Sequence, residues 1–238
     1  MKIILMAITA ICLAVTSCGT EGGSQPKQKP VTEIHEMKTF TVDLVAQLDS
    51  IWIAEQGPLR KRDAMFKKYG ADSEQYAKYQ AIYERNHVVN EAKIKKILAD
   101  GWPELQVIGD MGNRTICNVL QHSDYETRMA YLPLMKQAVK DGQLSAPLLV
   151  RAEDRLATDR GELQIYGGQI KYDPETKSLE LWPVLDPENI DKRRAAVGLG
   201  PIAEFLKERF DLEWNLEEQL QRTEAFVKAK EKAALKSN

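Results

Sequence analysis

Cysteine and histidine are both scarce, each occurring three times in 238 residues. Cys12 lies inside an apolar N-terminal run and Cys18 just after it, which leaves Cys117 alone in the rest of the chain. No intrachain disulfide framework follows, so stability has to come from packing. The histidines, His35, His87 and His122, show no ligand spacing such as His-x-x-x-His, and no metal centre is expected. No glycine-rich loop leads into Lys-Ser or Lys-Thr, and no cofactor is implied. Charge of one sign is missing too. Lys and Arg number 33 against 35 Asp and Glu, a net charge of −2, which gives no electrostatic case for nucleic acid.

Long apolar runs are confined to residues 3–14. A bilayer needs about 20 residues, so this run is too short to span one. Lys2 precedes it, and Val15-Thr16-Ser17-Cys18 follows. A positive start, a short apolar core and small residues before a cysteine make the layout of a lipoprotein signal peptide. Residues 1–17 are read as that signal and Cys18 as the lipidated first residue of the mature chain. Val15 stands where Leu is commonest, a relaxed box similar to those of Bacteroidota-type bacteria. Cys12 is a poor alternative, because Ile11 is bulky at the cleavage point and the apolar core would be halved. The bilayer is thus one expected partner, with the protein lipid-anchored in the cell envelope and facing the periplasm from the outer membrane.

Residues 18–38 read as a tether. The stretch 19–30 holds three glycines, two prolines and two glutamines but no large apolar residue. It cannot bury enough surface to order itself. Fully extended it reaches roughly 40 Å, at about 3.3 Å per residue.

Residues 39–212 are expected to form one mainly helical domain with a small β-hairpin. Leu44, Val45, Leu48, Ile51 and Trp52 recur at helical spacing, and Gly57-Pro58 is expected to interrupt that helix. The longest helix is predicted over 74–99, capped by Ser73. Its inward stripe is Tyr76, Tyr79, Tyr83, Asn86, Asn90, Ile94 and Ile97, with two amides inside an apolar face. These amides are either a polar pocket floor, or a partly exposed turn or structural hydrogen bond to a neighbouring helix. Val107-Ile108-Gly109 reads as a turn before a helix over 113–121. Helices follow over 124–141, where Pro133 should kink or split the element, and from Ser145 onward. After Gly161 the pattern alternates. A hairpin is predicted near 163–183, turning at Asp173-Pro174-Glu175-Thr176-Lys177. Helices return over 187–197 and 202–210, and 213–238 reads as a polar, solvated terminal helix.

Several clusters have chemical potential. Gln121-His122-Ser123-Asp124 combines an imidazole that titrates near neutrality with a carboxylate that could orient it. It reads equally as a helix exit followed by a cap. Cys117 lies about 140° from His122 on one helix, at about 100° per residue, and reads as a small buried hydrophobe. Asp154-Arg155 supplies either a solvated charge pair or an arginine forking onto a carboxylate. Gln164, Tyr166 and Gln169 flank Gly167-Gly168. Amides and a phenol suit hydroxyls and amides, as in glycans or peptides. Arg193-Arg194 reads as an anion contact or as a complement to a helix C-terminus.

The ordered series Gly101-Trp102-Pro103, Gln121-His122-Ser123-Asp124, Asp154-Arg155 and Gln164-x-Tyr166-Gly167-x-Gln169, followed by Arg193/Arg194 with Gly198-Leu199, resembles a bacterial family catalogued only as a domain of unknown function. The resemblance covers about Leu44 to Phe210. Gly168 stands where that family usually has Thr, and Glu55-Gln56 where it usually has Asp-Gln. The family implies no reaction.

Three functional expectations result. The first is binding or scaffolding of an envelope glycan or peptide by Gln121, Arg155, Gln164, Tyr166 and Gln169 around His122. The second is hydrolysis with His122 as general base, oriented by Asp124 or Asp154. The third is a purely structural polar network. Composition gives no oligomeric state.

Overall fold

The computed structural model describes residues 31–173 and 178–236, with the side chains of 31–42 and 173 outside that description. The predicted signal 1–17, Cys18 and the tether up to residue 30 lie outside the described residues, as does the hairpin turn at 174–177. The element order is α1 (Val31–Tyr69), α2 (Glu74–Ile97), α3 (Leu105–His122), α4 (Tyr125–Lys140), α5 (Ala146–Asp159), β1 (Ile170–Asp173), β2 (Ser178–Leu181), α6 (Ile190–Ala196), α7 (Ile202–Phe210) and α8 (Leu216–Lys236). The chain is a single mainly α domain with one small antiparallel hairpin. No helix among the described residues is long and apolar enough to cross a membrane.

The first helix corrects two expectations. It begins at Val31, inside the predicted tether, and it runs through Gly57-Pro58 without a break. Pro58 has no N–H to give the carbonyl of Ala54, four residues earlier. Asn86 of α2 fills the gap: its Nδ2 donates to the Ala54 oxygen at 2.9 Å. One of the two amides in the α2 stripe therefore repairs the proline site from the neighbouring helix.

α1 packs on α2 and α3, α3 also on α5, and α4 on α5. Leu48, Ile51, Ile94, Ile116, Leu120, Met135 and Leu156 fill the interior of this helical body. In α3, Gly109 adopts φ 62°, so the element is a short turn joined to a helix, close to the turn expected there. Pro133 stays inside α4 without splitting it and is exposed. Trp102 of the Gly-Trp-Pro segment donates its indole N–H to Asn113 Oδ1 at 2.7 Å, tying the loop after α2 to α3.

A second, smaller core gathers Leu181, Val184, Ile190, Ile202 and Leu206 around the hairpin, α6 and α7. The hairpin pairs Ile170 with Leu181 and Lys171 with Glu180, the latter also an ion pair at 3.0 Å. Residues 163–166 do not form a strand as expected; only Gln164 pairs, in an isolated parallel bridge with Val184. The terminal helix is not simply solvated. Its first half docks on the hairpin: Gln219 is buried and donates to the Trp182 carbonyl at 3.3 Å, Thr223 donates to that of Val184 at 3.1 Å, and Phe226 meets Trp182 edge-on.

Candidate functional site

The sequence-predicted residues separate into two groups. Asp154 centres the first. It is fully buried, and its carboxylate accepts the backbone N–H groups of Ile165 (2.7 Å), Tyr166 (2.9 Å) and Gly168 (2.8 Å). Burial pushes its carboxyl above the usual aspartate range, and the three N–H donors pull it back. Gln164, also fully buried, closes the loop on itself. Its Nε2 donates to the carbonyls of Gln169 (3.1 Å) and Trp182 (2.7 Å), and its Oε1 accepts the Gln169 N–H at 2.7 Å. Tyr166 presents its carbonyl to Arg194 at 2.6 Å, and Arg193 Nε donates to the Ile165 carbonyl at 3.1 Å. Arg194 also donates to Gly200 O at 2.7 Å and lies over the Phe205 ring. Arg194 therefore grips backbone alone, and Arg193 grips backbone and pairs with the Asp186 carboxylate at 3.2 Å. Gly167 has φ 77°, and a Cβ there would come within 2.7 Å of Ile202 Cδ1, which explains the glycine. This knot fastens the second core to α5.

The second group lies among α1, α2, α3 and α5. Glu55 is fully buried; its Oε1 accepts from Asn90 Nδ2 at 2.9 Å and its Oε2 lies 3.2 Å from His87 Nδ1. Tyr83, His87 and Asn90 stand four and three residues apart, on one face of α2. The Tyr83 ring lies 5.7 Å from His87 and meets His122 edge-on at 6.3 Å. Burial, with the Glu55 charge beside it, pushes the Tyr83 hydroxyl up to about 12. His122 ends α3 and is exposed. The protein crowding its imidazole holds the pKa down to about 4, chiefly by desolvation, then by the Arg155 guanidinium and His87, with Glu55 opposing. Water at this exposed residue offsets part of that desolvation, and the ring is neutral at pH 7 in either case.

Asp154 and Arg155 are neighbours on α5, and a helix turns about 100° per residue. Asp154 thus serves the loop knot, while Arg155 acts electrostatically on Tyr83 and His122. Neither expected orienting carboxylate bonds His122. Asp124 is the exposed N-cap of α4, accepting the Thr127 N–H at 2.7 Å. Gln121 donates to the Leu148 carbonyl at 3.4 Å. Cys117 is fully buried, and burial pushes its thiol well up, leaving it inert. No group of three metal-ligating side chains occurs among the described residues.

Three buried polar atoms lack a hydrogen-bond partner among the described residues: His87 Nε2, Asn118 Nδ2 and Arg155 Nε. His87 carries one of them. Asn118 lies four residues before His122 on α3, and its Oδ1 accepts from Gln56, the neighbour of Glu55. Arg155 is tied to the group electrostatically. All three unpartnered atoms therefore belong to this second group.

Residues 72–214 match the family of unknown function DUF6624. The chain belongs to that family. The match starts after α1, so Glu55 and Gln56 lie outside it and complete the polar group from a neighbouring segment. No curated protein and no solved structure matches the chain.

Sequence reasoning missed Glu55, Tyr83 and His87 as a unit. A signal was present: Leu44, Leu48, Ile51, Glu55 and Pro58 continue one inward spacing, with a carboxylate in the fourth place. Asn90, singled out as an amide on an apolar face, is the partner of that carboxylate.

Proposed function

We propose that this member of the DUF6624 family binds a polar, acceptor-rich ligand, a glycan or peptide, at the face formed by Tyr83, Asn118, His122 and Arg155. The observation that carries the reading is that two buried N–H groups of this cluster, Asn118 Nδ2 and Arg155 Nε, lack a hydrogen-bond partner among the described residues. Leaving such a donor unpaired costs about 1–3 kcal/mol, a cost that a ligand rich in oxygen acceptors would offset. The Asp154 knot, with Gln164, Tyr166 and Gln169, supports the face from behind rather than touching the ligand. Cys18 would hold the protein to the envelope membrane by its lipid, as the N-terminal layout suggests.

The test follows the ring protons of His122 by NMR. Three histidines make the spectrum assignable with a His122→Gln variant. N-acetylglucosamine oligomers and short peptides are titrated into the full chain in detergent. A saturable shift of the His122 signal that disappears in Arg155→Ala supports the reading. No shift with any of these probes refutes it. Palmitate labelling that Cys18→Ala abolishes tests the anchor.

A hydrolytic reading has one observation in its favour, the Glu55–His87 carboxylate–imidazole pair. It moves the general base from His122 to His87. Ester turnover that is lost in both Glu55→Gln and His87→Gln would establish it.

A further inference from the structure

Of the arginines that act electrostatically on this group, Arg62 and Arg128 have direct carboxylate partners and Arg155 has none among the described residues. Glu55 is held by Asn90 and His87. Glu91 pairs with Lys95 at 2.6 Å. Arg62 pairs with Asp63 at 2.8 Å and also donates to Gln80. Arg128 pairs with Asp159 at 2.6 Å and also donates to the Ser123 carbonyl. Asp159 is one turn from Arg155 and would be its natural counter-ion, but Arg128 occupies it. The Arg155 side chain makes no ion pair and no hydrogen bond among the described residues, although the residue is half-buried and its Nε is fully buried.

An arginine in that position is unusual, because buried charges are paired or bound to a ligand. Its guanidinium presents a planar fork of N–H groups that matches two oxygens in one plane. The neighbouring groups fit the same partner. Asn118 Nδ2 offers another N–H, and exposed His122 has no hydrogen-bond partner among the described residues. Tyr83 supplies an aromatic wall against His122.

From this we infer that Arg155 is the anchor for a carboxylate on the ligand, with Asn118 and His122 beside it. The inference rests on the polar-ligand reading above and narrows it to acidic members of the same classes. A carboxylate can come from a sugar acid or from a peptide C-terminus, and matched pairs of probes separate the two. N-acetylmuramic acid differs from N-acetylglucosamine by a lactyl carboxylate. N-acetylalanine and its amide have nearly the same shape, but the amide replaces the charged carboxylate with a neutral carboxamide. Each is titrated into the full chain while the His122 ring signal is followed.

At least one acidic probe is expected to bind tenfold or more tightly than its neutral partner. That preference should vanish in Arg155→Gln. In Arg155→Lys, which keeps the charge but loses the fork, it should weaken. The sugar arm responding alone would assign a sugar acid, and the peptide arm alone a C-terminus; either supports the inference. Equal affinity for acidic and neutral partners overturns the carboxylate assignment and leaves the broader polar-ligand reading standing. An acidic preference that survives Arg155→Gln in a folded variant overturns the role of Arg155. No response to any of the four probes sinks both.

Discussion

Replacing Asp154 with Asn changes one atom in a fully buried side chain and tests the account of the loop knot directly. The carboxylate oxygens accept three backbone N–H groups, two on Oδ1 and one on Oδ2. Asparagine keeps one acceptor oxygen, which can hold Ile165 and Tyr166. Its Nδ2 would then face the Gly168 N–H, donor against donor. A hydrogen bond to a charged group contributes about 1.5–3 kcal/mol, and an unsatisfied buried donor costs about 1–3 kcal/mol. Two bonds weakened from charged to neutral and one reversed give an expected loss of about 3 kcal/mol. Asp154→Ala leaves all three donors unpaired. Water can reach parts of that half-buried loop, so its loss should be about 4 kcal/mol rather than three full penalties. Urea melts with a shared slope would measure both. Hydrogen exchange gives the local signature: the Ile165, Tyr166 and Gly168 amides should exchange faster in Asp154→Asn, while those of α1 and α2 hold. A loss under about 0.5 kcal/mol with those amides still protected would refute the knot.

Four further outcomes are expected. His122 should titrate between about 4 and its ordinary 6.5 by NMR, and Arg155→Gln should move it up, because one of the charges holding it down is gone. Its folded pKa lies below the ordinary 6.5, so its contribution to stability is present above 6.5 and is lost as pH falls from 6.5 toward 4; His122→Gln should flatten that part of a stability-versus-pH curve. His122→Ala should cost less than about 1 kcal/mol in a urea melt, because the residue is exposed and makes no hydrogen bond among the described residues, and a loss of several kcal/mol would point to a structural role. Gly167→Ala should cost about 2 kcal/mol or more, combining positive φ with a contact at 2.7 Å to Ile202, readable as a shifted melting midpoint. Asn86→Ala should destabilise by about 1–2 kcal/mol by leaving the Ala54 carbonyl unpaired above Pro58, and Pro58→Ala in the same chain should recover much of that loss.

Hydropathy spacing determined the helical class, the inward face of α2 and the hairpin around residues 170–181. Those features depend on local periodicity and turn chemistry, which a linear sequence carries in full. It also marked Asp154, Arg155, Gln164 and Tyr166 as special without revealing their tasks. Pro58 shows why. Its local effect is to break a helix, and only Asn86, on another helix, supplies the hydrogen bond that lets α1 continue. Asp154 and Arg155 are adjacent in sequence, yet the turn of α5 sends one to the loop knot and leaves the other acting electrostatically on Tyr83 and His122. Glu55 and His87, 32 residues apart, became a pair only when α1 and α2 packed. Long-range pairing of polar groups depends on which faces meet, and that is decided by the packing of whole helices rather than by any spacing along the chain.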